Sequence, residues 1–160
     1  MVQLSKNSLS DFVKRIVTGY QSTCESNQIS MILDIEEVSA SYDPKIVHRA
    51  VAAMMDNALE AMPNGGELEA TLINAEHQWE LEIADSGNGD KSDSTPAKQT
   101  DAKLPRIVGV ETSPHIEVLN QLGILMNATI QTWNCPLGGT ASVLVVPKMS
   151  GNEQTINKAA

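Results

Sequence analysis

Positive charge is in short supply in this chain: 11 Lys and Arg stand against 20 Asp and Glu, a formal net charge of −9. So few cations cannot neutralise the phosphates along a duplex, which excludes the ordinary nucleic-acid binder. Cysteine is nearly absent. Cys24 and Cys135 are far apart, without metal-type spacing, and read as two reduced thiols in a cytosolic domain. No apolar run approaches the length of a membrane span and no charged-then-apolar leader opens the chain, so no direct membrane contact is expected. There is no internal repeat. What is present is 160 residues of ordinary hydrophobic content, 41%, enough for one domain with a sizeable core.

Periodicity predicts helices and strands in mixed order. Leu9, Phe12, Val13, Ile16, Val17 and Tyr20 recur at helical spacing, predicting one helix over 8–25. Ile29, Met31, Leu33 and Ile35 alternate as a half-buried strand would. Asp43-Pro44 offers a cap with proline in the first turn of a helix that should end near Met62. Residues 67–73 and 79–84 read as an antiparallel hairpin, with Trp79, Leu81 and Ile83 on one face and Glu80 and Glu82 on the other. Asp85 then falls on the Trp79 face, toward the core. Residues 90–103 carry almost nothing large and apolar and 104–112 add only a short apolar patch, so 90–112 read as a mobile lid. Ser113-Pro114 restarts a helix whose stripe Ile116, Val118, Leu119, Leu122 and Leu125 should pack on the sheet, and two strands follow over 128–133 and 140–146. Residues 1–7 read as a linker and 149–160 as a polar tail.

The chemistry concentrates in two stretches, Met54 to Gly66 (MMDNALEAMPNGG) and Asp85 to Gly89 (DSGNG). An inward-facing Asn57 amide can help hold a hydrated metal, a buried Asp85 carboxylate can accept a proton from an adenine amino group, and Gly87 and Gly89 let a ligand approach the backbone. These residues resemble the ATP-binding domain of histidine kinases, within the wider family that holds the gyrase, heat-shock-90 and mismatch-repair ATPases. Asn57-Ala58 with Glu60-Ala61-Met62-Pro63 and Gly65-Gly66 is similar to the kinase N box, and Asp85 to Gly89 to the first glycine box. Gly138-Gly139-Thr140, running into a strand, resembles the last glycine box. The resemblance covers residues 8–148 in the family's order.

It implies an α/β two-layer sandwich, a mixed and mainly antiparallel sheet of about five strands covered on one face by three helices, binding ATP and Mg2+. It implies magnesium at Asn57, and nucleotide at Asn57, Ala61, Asp85, Gly87, Gly89, Thr140 and His115. Plainer readings stand beside these. Asp85 also suits a turn carboxylate capping Gly87, Asn57 an amide bonded to a loop, Thr140 an ordinary strand residue and His115 a solvated first-turn residue. Asp56 reads equally as a group supporting Asn57 or as a surface charge.

Three departures bound the function. Ala53 stands where the gyrase-type ATPases carry a water-activating Glu, which argues against a free-standing ATPase. Ser113-Pro114-His115 replaces the second glycine box, and proline has no N–H to give a phosphate. The only Phe is Phe12, so the phenylalanine-centred lid motif is missing. Nor is there room before Leu9 for a hairpin bearing a phosphoacceptor, and His48, His77 and His115 are poor acceptors. The resemblance therefore implies a cytoplasmic piece of a sensor kinase that presents the γ-phosphate to a histidine on a separate dimerisation domain, with a response regulator downstream. The domain alone is not expected to be active. The alternative is a degenerate, nucleotide-poor module acting as a docking or phosphotransfer scaffold.

Overall fold

The computed structural model describes residues 5–87, 114–135 and 138–148. The lid expected over 90–112, the tail over 149–160, Gly89 and Ser113 lie outside them. The elements run β1 (Ser5–Ser8), α1 (Leu9–Thr18), α2 (Gln21–Ser26), β2 (Ile29–Ile35), β3 (Ser39–Tyr42), α3 (Pro44–Glu60), β4 (Gly66–Asn74), β5 (Gln78–Asp85), α4 (Pro114–Leu125), β6 (Thr129–Asn134) and β7 (Thr140–Pro147).

Five strands form one sheet in the order β2-β4-β5-β7-β6, and β1 pairs with β3 in a separate two-stranded ribbon. Only the β2–β4 pair is parallel; β4–β5, β5–β7 and β6–β7 are antiparallel. Helices α1, α3 and α4 pack on one face of the sheet, the mixed α/β sandwich that the sequence predicts. No described helix is long and apolar enough to cross a membrane.

Each layer follows from side-chain period. Along β5 burial alternates at every residue, sending Trp79, Leu81 and Ile83 into the core and Glu80 and Glu82 outward. Against them α3 lays Val47, Ala50, Val51, Met54, Met55 and Ala58. The alanines let the helix axis come close, while the unbranched methionines fill the irregular space left over. Asp43 starts this helix as expected: its Oδ1 accepts from the Lys45 and Ile46 amides at 2.9 and 3.3 Å, and Pro44 fills the first position.

Three expectations are corrected. The helix predicted over 8–25 is two helices, because the Gly19 amide is shared between the Arg15 and Ile16 carbonyls at 3.1 Å each and glycine holds a helix weakly. Residues 5–7, read as part of a linker, and Ser8, read as the start of the helix, pair antiparallel with 39–42. In α4 the buried stripe is Leu119, Leu122 and Gly123, and Leu125 is 58% exposed. The helix ends there: Asn127 turns left-handed at φ 52° and the Ala128 amide donates to the Gly123 carbonyl at 2.8 Å, which swings Leu125 off the sheet.

Candidate functional site

The end of β5 carries the best-defined polar group in the domain. Because Asp85 shares the parity of Trp79, Leu81 and Ile83, its carboxylate enters the helix-covered side of the sheet, where it is only 5% exposed. Its Oδ1 accepts two backbone hydrogen bonds, from Gly87 at 3.0 Å and from Thr140 at 3.3 Å. Burial pushes the carboxyl above its ordinary value, and the Gly87 and Thr140 amides partly hold it down. Among the described residues Oδ2 accepts no hydrogen bond, and because no fully buried polar side-chain atom there lacks a partner, Oδ2 is the oxygen that reaches the surface. The capping reading of Asp85 is thus right for one oxygen, and the second is left over.

Glycine makes this arrangement sterically attainable. A Cβ on Gly87 would lie 2.2 Å from the Ala61 carbonyl oxygen, so only glycine lets the Asp85 turn press against the end of α3. Gly139, at φ 84°, is tighter still: a Cβ there would sit 1.7 Å from the Asp85 carbonyl oxygen. Ser86 closes the turn from the other side. Its Oγ accepts from the Glu67 amide at 2.7 Å and its own amide donates to the Glu67 carbonyl at 3.0 Å, which extends the β4–β5 ladder past Asp85. The end of α3, the end of β5 and the start of β7 therefore converge on one carboxylate.

Of the sequence-predicted residues, Asp85, Gly87, Ala61 and Thr140 come together directly. Asn57 is half-buried on α3, one turn before Ala61, whose amide donates to the Asn57 carbonyl at 3.3 Å. Asp56 is occupied elsewhere: its Oδ1 accepts from the Tyr20 hydroxyl at 3.1 Å, and burial, then the Asp56 charge and hydrogen bond, push that phenol up to about 12. Asp56 thus ties α3 to the α1–α2 junction. His115 lies with Nε2 2.9 Å from Glu60 Oε1, its side chain 28% exposed, so it joins the start of α4 to the end of α3. No group of three or more His, Cys, Asp or Glu suited to a metal occurs among the described residues.

Sequence reasoning missed three contributors. Gly139 was grouped with Thr140 but not singled out, although two adjacent glycines before a strand signal a backbone crowded by another segment. Ser86 and Gly66 meet at the open end of the β4–β5 hairpin, a contact that no local pattern announces. Tyr20 was read as one more member of an apolar stripe, and nothing in the sequence pairs it with Asp56.

No protein-family model matches the chain, and no curated protein matches it in sequence. Solved structures match it over nearly its whole length. The catalytic domain of histidine kinase ThkA, in a nucleotide-free form, is similar at a TM-score of 0.72 and 14% identity, covering 91% of this chain and 97% of that one. ThkA has also been solved in complex with the response regulator protein TrrA. The Acinetobacter baumannii histidine kinase AdeS is similar at a TM-score of 0.71 and 14% identity, over 94% of this chain and 70% of that one. Full-length ShkA in complex with AMPPNP is similar at a TM-score of 0.69 and 9% identity, over 94% of this chain and 32% of that one. The fold is that of histidine kinase catalytic domains.

Proposed function

We propose that this domain binds an adenine nucleotide as its magnesium complex and presents the γ-phosphate to a histidine on a separate dimerisation domain of a sensor kinase. In that reading it is part of an ATP:protein-histidine phosphotransferase, cytoplasmic, inactive alone, with a response regulator receiving the phosphoryl group. The observation that carries it is Asp85. A buried carboxylate with one oxygen fixed by two backbone amides and the other unengaged is an acceptor held ready for an amino group. Adenine offers that donor where guanine offers an acceptor. Ala61, Gly87 and Thr140 would border the base, as would Gly89, and the half-buried Asn57 amide would lie toward the triphosphate. Magnesium usually keeps several waters and takes its remaining ligands from phosphates, so one protein amide is a sufficient contribution. Complexes of ThkA with a response regulator and of ShkA with AMPPNP are consistent with these roles.

One observation favours the second reading, a nucleotide-poor docking or phosphotransfer scaffold. His115, a donor that could replace a missing glycine-box amide, faces the Glu60 carboxylate through Nε2, and Pro114 before it has no N–H. Nucleotide titration by calorimetry separates the two. Binding should be weak and magnesium-dependent, with ADP held nearly as well as ATP because the depleted contacts are those to the terminal phosphates. No heat at millimolar nucleotide would reject the first reading.

A further inference from the structure

The N-terminal half of α3 borders a second feature, on another part of the molecule from Asp85. A cavity of about 440 Å³ opens there, lined by Phe12 of α1 and by Pro44, Lys45, His48 and Arg49 of α3. Its apolar surface comes from the half-buried Phe12 and Pro44 rings; Lys45, His48 and Arg49 are exposed around it. Phe12 is not free to collapse into the opening, because it stacks on Tyr42 with ring centroids 5.3 Å apart. Burial pushes the Tyr42 hydroxyl up, with Arg15 of α1 lowering it and Asp11, one turn before, raising it. The unbalanced charge is that of Lys45 and Arg49, and among the described residues neither is in an ion pair.

A preformed apolar groove rimmed by unpaired cations is notable on a chain of formal charge −9. Lys45 and Arg49 flank this apolar patch, so a partner that brings carboxylates beside an apolar side chain is complementary to it. The depression is shallow and open and lies between two helices, with no strand in its lining to extend by β-addition, and its apolar floor suits the apolar face of a helix. We propose that the α1–α3 groove binds an acidic amphipathic helix of a partner protein, seating one aromatic or branched apolar side chain between Phe12 and Pro44 with its carboxylates on Lys45 and Arg49. Duplex nucleic acid and anionic lipid are poorer occupants. Two cations neutralise too few phosphates for a duplex, and attraction to an anionic headgroup layer takes a larger basic cluster than Lys45 and Arg49 make.

The test uses a fluorescein-labelled amphipathic peptide with glutamates flanking a leucine and a phenylalanine one turn apart, and the same peptide with lysines in place of glutamates. Anisotropy titration against the whole chain should show binding of the acidic peptide alone, weakened at least about tenfold by the exposed-residue variant Lys45→Glu/Arg49→Glu and by raised salt. Backbone amide shifts should map it to Phe12, Lys45 and His48. Phe12→Leu, which keeps an apolar floor but loses the ring, should weaken the peptide less than the charge reversal does. Equal binding of both peptides, binding indifferent to the charge reversal, or shifts confined to another face would overturn the proposal. So would binding to phosphatidylglycerol vesicles in the absence of any binding to the acidic peptide, which would make the patch a lipid contact. The Asp85 site is untouched by these changes, so a null nucleotide titration would leave this result standing.

Discussion

Asp85→Asn probes the candidate site at the single atom on which the proposed function turns. Asparagine keeps a carbonyl oxygen where Oδ1 now accepts from Gly87 and Thr140, and puts an amino group where Oδ2 now points. On the folding side, two charge-assisted bonds become neutral ones, a loss of roughly 1 kcal/mol each. Against this, the substitution removes a charge that burial already disfavours, as the raised carboxyl records. The two changes oppose each other, and the net should stay within about 1 kcal/mol, or about 4 °C in melting temperature for a domain of this size. On the binding side nothing compensates. The adenine amino group loses an ionised acceptor worth roughly 1.5 to 3 kcal/mol and meets another donor, so affinity should fall by about a hundredfold or more. GTP, which presents an acceptor at the same position, should lose nothing and overtake ATP. Scanning calorimetry without ligand and competitive titration with both nucleotides measure the two halves independently. Asp85→Ala is the contrast, since it strands both amides and should cost roughly 1 to 3 kcal/mol for each. If Asp85→Asn fails to fold, or binds ATP as well as the parent, the carboxylate is a turn residue and the adenine assignment is wrong.

Two further outcomes follow from the geometry. Gly138→Ala should cost about 1 to 2 kcal/mol, the strain of a left-handed backbone with open space around the new methyl, whereas Gly139→Ala should cost about 3 kcal/mol or more because its methyl would overlap the Asp85 carbonyl; equal urea midpoints for the two would refute the close packing of β7 on that turn. On the outer face of the sheet, Glu82 is pushed up by burial and then by Glu69 and Glu80, so the folded state holds its proton more tightly than the unfolded chain does. Its ionised form therefore costs stability above the folded value, and the cost disappears below the ordinary carboxylate range. Glu82→Gln should raise the melting temperature at pH 7 and not at pH 3; a gain that is the same at both pH values would show that the charge is not its source.

The parts of the fold legible in the sequence are those whose signal is local and periodic. The Trp79, Leu81 and Ile83 alternation carries enough information to place the Asp85 carboxylate on the correct side of the sheet, and Asp43-Pro44 marks the start of α3 to the residue. The ribbon of β1 and β3 is not legible because SKNS has no apolar residue, SASY is only four residues long, and they pair across thirty or more intervening positions. Leu125 was misplaced by extending a helical stripe through the turn at which α4 stops. The partners of Asp56 and His115 are also out of reach: each side chain meets one 36 or 55 positions away, and pairing at that distance leaves no pattern in one sequence.

The bond from Thr140 to Asp85 spans 55 positions, and it has a consequence for the order in which the domain is made. A chain synthesised at about 5 to 20 residues per second waits roughly 3 to 11 seconds between the appearance of the carboxylate and that of its second amide. During that interval β5 can pair with β4 but has no β7 on its other side, so residues 78–84 present a bare strand edge with Trp79, Leu81 and Ile83 along it. Such an edge is a template for pairing with another chain. The outward Glu80 and Glu82 lie on that edge and oppose the approach of a second identical strand, and in the finished protein the Glu82 charge is disfavoured by burial first and then by Glu69 and Glu80. A destabilising feature of the native state is thereby a safeguard of the nascent one.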